Sequence, residues 1–379
     1  MVKDMSEKKH KIDILDFDGY IRQGEPSQKE KASIWQTAIG LQAVDGLRTS
    51  DYLKATACKH IEGKIDIDEA RELIKSYYLS KSNREPDDDE KQEADKVSAN
   101  ITKVLSSQAL DLSTGGYISV HRRVFEGVFK HAGKLRDYDI TKREWVLDGD
   151  TVNYLNWEDL HRALDYDISQ EREFCYKGIA PGAIVKHIAQ FVSGLWQIHA
   201  FCEGNTRATA VFTILYLRSI GFNVDNSLFA RHSWCFRNAL VRANYRNVIK
   251  GIDYTPEYLE HFFCNLLLGE QWDLRNRYLH INATGEWKAQ PKAADPPSTP
   301  QVESGLSMRI SQLGQAIGDK EMTIKEMLEA MGLNDRKSFR SLYLNPAISE
   351  GYVRLLYPDS PRHPRQKYLL TAKGQAARH

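Results

Sequence analysis

Apolar residues recur at three- and four-residue intervals in two adjacent stretches near the middle of the chain. Ile184, Ile188, Phe191, Val192 and Leu195 form one stripe; Val211, Ile214, Leu215 and Leu217 form a second that stops at Gly221. That spacing predicts two helices with buried faces, joined by a short turn. Comparable patterns predict helices over residues 27–44, 50–61 and 66–78 in a small N-terminal unit. His121, Phe125, Val128, Phe129 and Ala132 read as another helix. Trp234, Phe236, Leu240 and Val241 belong to a later one, and Tyr258, Leu259, Phe262, Phe263, Leu266 and Leu267 to a last one ended by Gly269.

Two regions depart from the helical period. Glu144-Trp145-Val146-Leu147 and Asp150-Thr151-Val152-Asn153-Tyr154 are β-prone runs flanking Asp148-Gly149, which predicts a hairpin. Near the C-terminus, helices over 306–317, 323–332 and 335–343 precede strands over 352–357 and 367–371 with a Pro- and Arg-containing loop between them. Helix, helix, helix, strand, loop, strand is a winged helix-turn-helix order. The chain therefore reads as mainly α in three parts joined by two linkers. These are an N-terminal helical segment (1–80), a charged linker (81–95), a central domain (96–280), a proline-rich linker (281–303) and a winged helix domain (304–379).

Composition changes this picture little. With 379 residues, 27% charged, and a net charge of +1, the chain has no whole-molecule field that points to nucleic acid or to a membrane. The exception is local: from Leu306 onward there are 12 Lys/Arg against 7 Asp/Glu, so DNA is an expected partner of the third helix there, with protein docking as the other use of such a module. The five cysteines, Cys58, Cys175, Cys202, Cys235 and Cys264, show no paired or zinc-like spacing. The start, MVKDMSEKKHKIDI, lacks an apolar signal core and no apolar run reaches spanning length, so a cytoplasmic protein without a membrane partner is expected.

The chemistry lies in the turn between the two central stripes, His199-Ala200-Phe201-Cys202-Glu203-Gly204-Asn205-Thr206-Arg207. A helix starting near Gly204 and Asn205 aims unpaired N–H groups and its positive dipole end at the turn, which favours an anion such as phosphate. Arg207 adds a guanidinium fork, Asn205 an amide donor and Glu203 a hard oxygen for Mg2+. His199 titrates near neutrality and suits proton removal from a hydroxyl. An anion cradle, a metal ligand and a base are the parts of a phosphoryl or nucleotidyl transferase.

The same nine residues resemble the core motif of the Fic family (filamentation induced by cAMP), H-x-F-x-[D/E]-G-N-x-R-x-x-R. His199, Phe201, Glu203, Gly204, Asn205 and Arg207 each fall on a motif position, and Gly133-Lys134-Leu135-Arg136 is similar to a second family sequence. The resemblance implies a Fic-type helical bundle and a protein adenylyltransferase that moves AMP from ATP, with Mg2+, to a Ser, Thr or Tyr hydroxyl of a target protein. It implies His199 as general base, Glu203 as metal ligand, and Gly204, Asn205, Thr206 and Arg207 as the phosphate cradle, with Asn244 and Tyr245 at the nucleoside. Arg237, Asn238 and Arg242 are further polar positions after the motif. The hairpin would be the family's flap, so that Glu144, Trp145, Val146 and Leu147 align the target by strand addition.

Two positions depart from the family pattern: Ala200 stands where proline is common, and Ala210 where many members carry a second arginine. The N-terminal unit resembles the antitoxin modules of the family, whose inhibitory helix reads [S/T]-x-x-x-E-[G/N]. Ala43-Val44-Asp45-Gly46 is the nearest match, with Leu41 at the Ser/Thr position, which makes Asp45 the inhibitory candidate. Because Ala210 replaces the usual partner of that acid, Asp45 is expected to have no arginine to pair with. Transfer of UMP, phosphocholine or phosphate on the same cradle, and a DNA-binding regulator with a nucleotide-sensing domain, are the alternative functions. A target protein, self-modification and a homo-oligomer are partner expectations that the residues do not rank.

Overall fold

A computed structural model describes residues 17–81, 87–107, 109–222, 224, 226–283, 313–318, 320–331, 336–357, 363 and 366–376. The chain is mostly helical and divides into two compact units, residues 1–219 with 223–297 and residues 220–222 with 298–379.

The first unit begins with α1 (Asp18–Gln23) and α2 (Pro26–Gly40). α2 starts where Pro26 and a reciprocal Glu25/Gln28 capping box satisfy the first turn. It continues as a tighter 3-10 turn, Leu41–Asp45, stopped by Gly46 at φ 73°. α3 (Asp51–Ile61) and α4 (Ile67–Ser80) follow, N-capped by Ser50 and Asp66. Trp35, Leu53, Ala57, Ile61, Ile74 and Tyr78 bury their side chains together with Ala99 of α5 (Asp88–Ser106). The acidic run expected to be linker therefore supplies the first turn of a 19-residue helix, in which Asp88, Asp89 and Glu90 sit at the positive end of the dipole.

α6 (Thr114–Val124) ends earlier than the apolar spacing suggested, because Gly127 and Gly133 adopt φ 70° and 73° and turn the chain twice. α7 (Leu160–Glu173) and α8 (Pro181–Ile198) lead to α9 (Asn205–Ser219). Every residue of α9 from Asn205 to Leu217 is buried, as a helix enclosed on all sides requires. It packs against α5, α6, α8 and the 3-10 turn, and also touches α10 (Asn226–Ala243). α10 crosses α2 so closely that a Cβ on Gly40 would lie 2.3 Å from the Ala230 carbonyl oxygen. α11 (Glu257–Leu268) closes the set and is capped by Gly269 at φ 68°.

The hairpin expected around Asp148-Gly149 does not form. Trp145–Leu147 is a 3-10 turn, and Asp148 and Gly149 are both left-handed, at φ 57° and 83°. Val146 and Leu147 are consecutive and both fully buried, which the alternating faces of a strand do not allow. The Ile281 N–H donates to the Val146 carbonyl, so that backbone group is already paired.

The second unit has its own core, with Leu313, Ile317, Met327, Phe339, Leu344, Val353 and Tyr368 among its members. Its described elements are a helical segment at 313–317, helices Ile324–Ala330 and Arg336–Phe339, a wider turn Arg340–Leu344, helix Asn345–Ser349 and a two-stranded antiparallel sheet. In that sheet β1 (Val353–Leu355) pairs with β2 (Tyr368–Leu370), with Arg354 opposite Leu369. The expected linker over 281–303, beyond residue 283, and most of the expected loop between the strands fall outside the described residues.

Candidate active site

The turn between α8 and α9 is fastened from several directions. His199 caps α8 in the left-handed conformation, φ 49°, which costs a non-glycine residue free energy and needs support. Arg136 provides it. Its Nε donates to the His199 carbonyl at 2.8 Å, its other nitrogens reach the carbonyls of Tyr138, Leu155 and Ile198, and its backbone N–H donates to Ala200. Asn205, at the start of α9, spans the turn: its Oδ1 accepts from the Phe201 N–H at 2.9 Å and its Nδ2 donates to the Phe201 carbonyl at 2.6 Å. The amide expected to meet phosphate thus shapes the turn. Thr206 likewise accepts from the Trp196 indole at 3.0 Å.

Gly204, at φ 76°, lies against the Phe125 ring, and an added Cβ would come within 2.2 Å of it. Beneath the turn, His121 stacks on Phe201 with ring centroids 3.7 Å apart. Its Nδ1 accepts from the Gly133 N–H at 2.9 Å, which leaves Nε2 to carry the proton that the Glu203 carbonyl accepts at 3.0 Å. Burial pushes this histidine down to about 4, so it is neutral and serves as a spacer.

His199 itself is 3% exposed, and neither ring nitrogen has a protein partner. Its ring sits on Tyr154, centroids 4.1 Å apart, and edge-on to Trp196. Burial first, and then the charge of Lys142, hold its pKa well below the ordinary histidine range, so the imidazole is neutral. Tyr154 donates to Glu144, which is buried and paired with both Nη2 contacts of Arg237 at 2.9 and 3.0 Å. Burial raises the Glu144 carboxyl despite that arginine. Arg237 also donates to the Val44 carbonyl at 3.0 Å, so a chain of contacts runs from the 3-10 turn to the His199 ring.

Arg207 departs most from expectation. It is 2% exposed, with Nε 2.7 Å from Asp45 Oδ2, Nη1 donating to Gln42 at 3.0 Å, Nη2 donating to Glu93 at 2.8 Å, and its guanidinium 4.9 Å from the centre of the Phe125 ring. Asp45 therefore has an arginine partner. It is the first arginine of the motif, one helical turn nearer the phosphate cradle than position 210, and the close packing of the 3-10 turn on α9 brings the two together.

Other expected residues have structural duties. Asn244 Nδ2 donates to Ser193 and to the Leu240 carbonyl, and the Tyr245 hydroxyl donates to Asp150 at 2.7 Å. Glu144, Val146 and Leu147 are buried, and Trp145, half exposed, packs beside Trp234 and His280. Arg242 is spent on the Leu279 carbonyl and Thr255, and Asn238 donates to Asn276. Lys142, Glu93 and Gln42 were given no role by the sequence, and Arg136 and Tyr154 only places in a family-like sequence and in the expected hairpin, since each acts on the turn from a distant element.

Glu203 points outward and pairs with Lys142 at 3.2 Å. No group of three or more His, Cys, Asp or Glu suited to a metal occurs among the described residues. One half-exposed carboxylate fits Mg2+ that arrives with a phosphate substrate and keeps its waters, and does not fit a metal held by protein ligands alone.

Residues 111–217 match the family model "Fic/DOC family", and residues 308–371 match "Filamentation induced by cAMP protein Fic-like, C-terminal domain". A comparison with curated proteins finds no match. Among solved structures, the chain is similar to a Fic family protein from Desulfovibrio desulfuricans G20, at 16% identity over 96% of this chain and 97% of that one, with a TM-score of 0.41. It is also similar to the N-terminal Fic domain of a Bartonella effector protein from Bartonella sp. AR 15-3, at 18% identity over 47% and 82% of the two chains, TM-score 0.37. A third match is the N-terminal Fic domain of a putative cell filamentation protein from Bartonella quintana, at 18% identity over 49% and 84%, TM-score 0.38.

Proposed function

We propose that this chain, whose residues 111–217 match the model of the Fic/DOC family, a family known for nucleotidyl transfer such as AMPylation, is a protein adenylyltransferase restrained by its own N-terminal segment. The observation that carries the reading is His199, a neutral, buried imidazole with both nitrogens free of protein partners at the lip of a helix N-terminus. In the proposed reaction a Ser, Thr or Tyr hydroxyl of the target gives its proton to His199 as the oxygen attacks the α-phosphorus of ATP. The new P–O bond forms, the bond to pyrophosphate breaks, and pyrophosphate leaves. The first turn of α9 offers N–H groups to the phosphates. Mg2+ carried by Glu203 would neutralise phosphate charge.

Restraint is argued from Arg207. A guanidinium held by Asp45, Glu93 and Gln42 meets a phosphate only after giving up a carboxylate, so nucleotide binding and release of the 3-10 turn compete. Incubation with α-labelled ATP and Mg2+ tests both parts. We expect label on protein from the wild type, about tenfold more from Asp45→Ala, and a loss of about 100-fold or more in His199→Ala with ATP binding retained. Equal labelling by His199→Ala would refute the base. Because Ala210 leaves the terminal phosphates without the arginine common in the family, UTP and CDP-choline belong in the same assay, and label from either of these in place of ATP would replace the adenylyl reading with its alternative.

A further inference from the structure

The cations around the motif turn are unequally committed. Arg136 is spent on four backbone carbonyls, Arg237 on Glu144 and the Val44 carbonyl, and Arg207 on two carboxylates and an amide. α9 brings no cation at position 210, where the side chain is a fully buried alanine. Lys142 is different. It lies between α6 and α7, partly exposed, with Nζ 3.2 Å from Glu203 Oε2, whose own side chain is 56% exposed. Such a pair is weak and exchangeable in water. The same ammonium is among the charges that hold His199 neutral, so Lys142, Glu203 and the base share one neighbourhood.

An ammonium on a four-carbon stem is a mobile point charge, whereas a hard divalent cation binds carboxylate oxygen more strongly. If Mg2+ takes Glu203, Lys142 is displaced beside an incoming chain of phosphates and has an anion within reach. We infer that Lys142 is a phosphate-positioning residue: it holds Glu203 before a nucleotide arrives and moves to the terminal phosphates of the nucleotide when a metal takes its place, supplying the charge that position 210 lacks. This rests on the nucleotide-transfer reading above.

The test uses full-length protein, as wild type and in an Asp45→Ala background, each with and without Lys142→Met or Lys142→Arg. Mn2+ binding in the presence of AMP, whose phosphate brings the metal its other ligand, should be read by the electron paramagnetic resonance of free Mn2+ and should tighten by about threefold in Lys142→Met, because the competing ammonium is gone. Equilibrium dialysis with Mg2+ should show ATP binding weakened about tenfold in Lys142→Met and largely restored in Lys142→Arg, with AMP binding changed less than about twofold. If the proteins bind ATP and Lys142→Met alters neither Mn2+ nor ATP affinity, the role of Lys142 is overturned while the nucleotide reading stands. If ATP and AMP each fail to bind in both backgrounds, the nucleotide reading falls and takes this role with it.

Discussion

A histidine accepts a proton only in its neutral form, and His199 is kept in that form by burial and by the nearby charges of Lys142, Arg136 and Arg237. The sign of the pH dependence follows. An ordinary histidine, with a pKa near 6.5, loses half its basic form at that pH. His199, with its pKa lowered well below that value, stays basic and loses function only in more acidic solution. The kcat/KM for transfer should therefore remain level from about pH 8 to about pH 6. A decline centred on about 6.5 would show an imidazole open to water, in conflict with its 3% exposure.

The 3-10 turn Leu41–Asp45 and α9 depend on each other through Arg207. Removing the guanidinium leaves the Asp45 and Glu93 carboxylates without the cation between them, beside Phe125, with Gln42 deprived of its donor. Arg207→Ala should destabilise the first unit by about 3 kcal/mol. Asp45→Ala should cost about 1 kcal/mol, since Arg207 keeps Glu93 and Gln42. Urea denaturation compares the two, and equal costs would mean that the turn is held by its apolar contacts alone. The segment over 144–154 shows the same dependence. Its 3-10 turn is set by Val146 and Leu147 entering the core and by Glu144 meeting Arg237 of α10, so any strand it offers to a target must come from elsewhere along it.

The two units have separate cores, and the whole chain should melt accordingly. Phe339 is 1% exposed in the core of the second unit. Phe339→Ala should remove about 3–5 kcal/mol there, lowering one calorimetric transition while the other keeps its midpoint. A single transition that shifts as a whole would mean that the units unfold together. MgATP should raise the midpoint of the first unit's transition and leave the second's unchanged, by mass action on the state that binds it.

Helix positions along the first unit were legible in the sequence because they rest on local rules: α3 and α4 begin at the Ser50 and Asp66 where helices were expected to start, Gly269 ends α11, and the motif turn opens α9. The types of residue in the motif were legible too, since a base, an acid and a glycine at fixed spacing imply a chemistry before any fold is known. Period alone did not locate the end of α6, which depends on Gly127, nor the turn at 145–147, which depends on what buries it. Above all, the sequence paired Asp45 with an arginine expected at 210 and found none there, whereas α9 presents Arg207 to the same turn. An ion pair between residues 45 and 207 leaves no local trace, because only the packing of the 3-10 turn and α5 against α9 sets which side chains meet around Arg207.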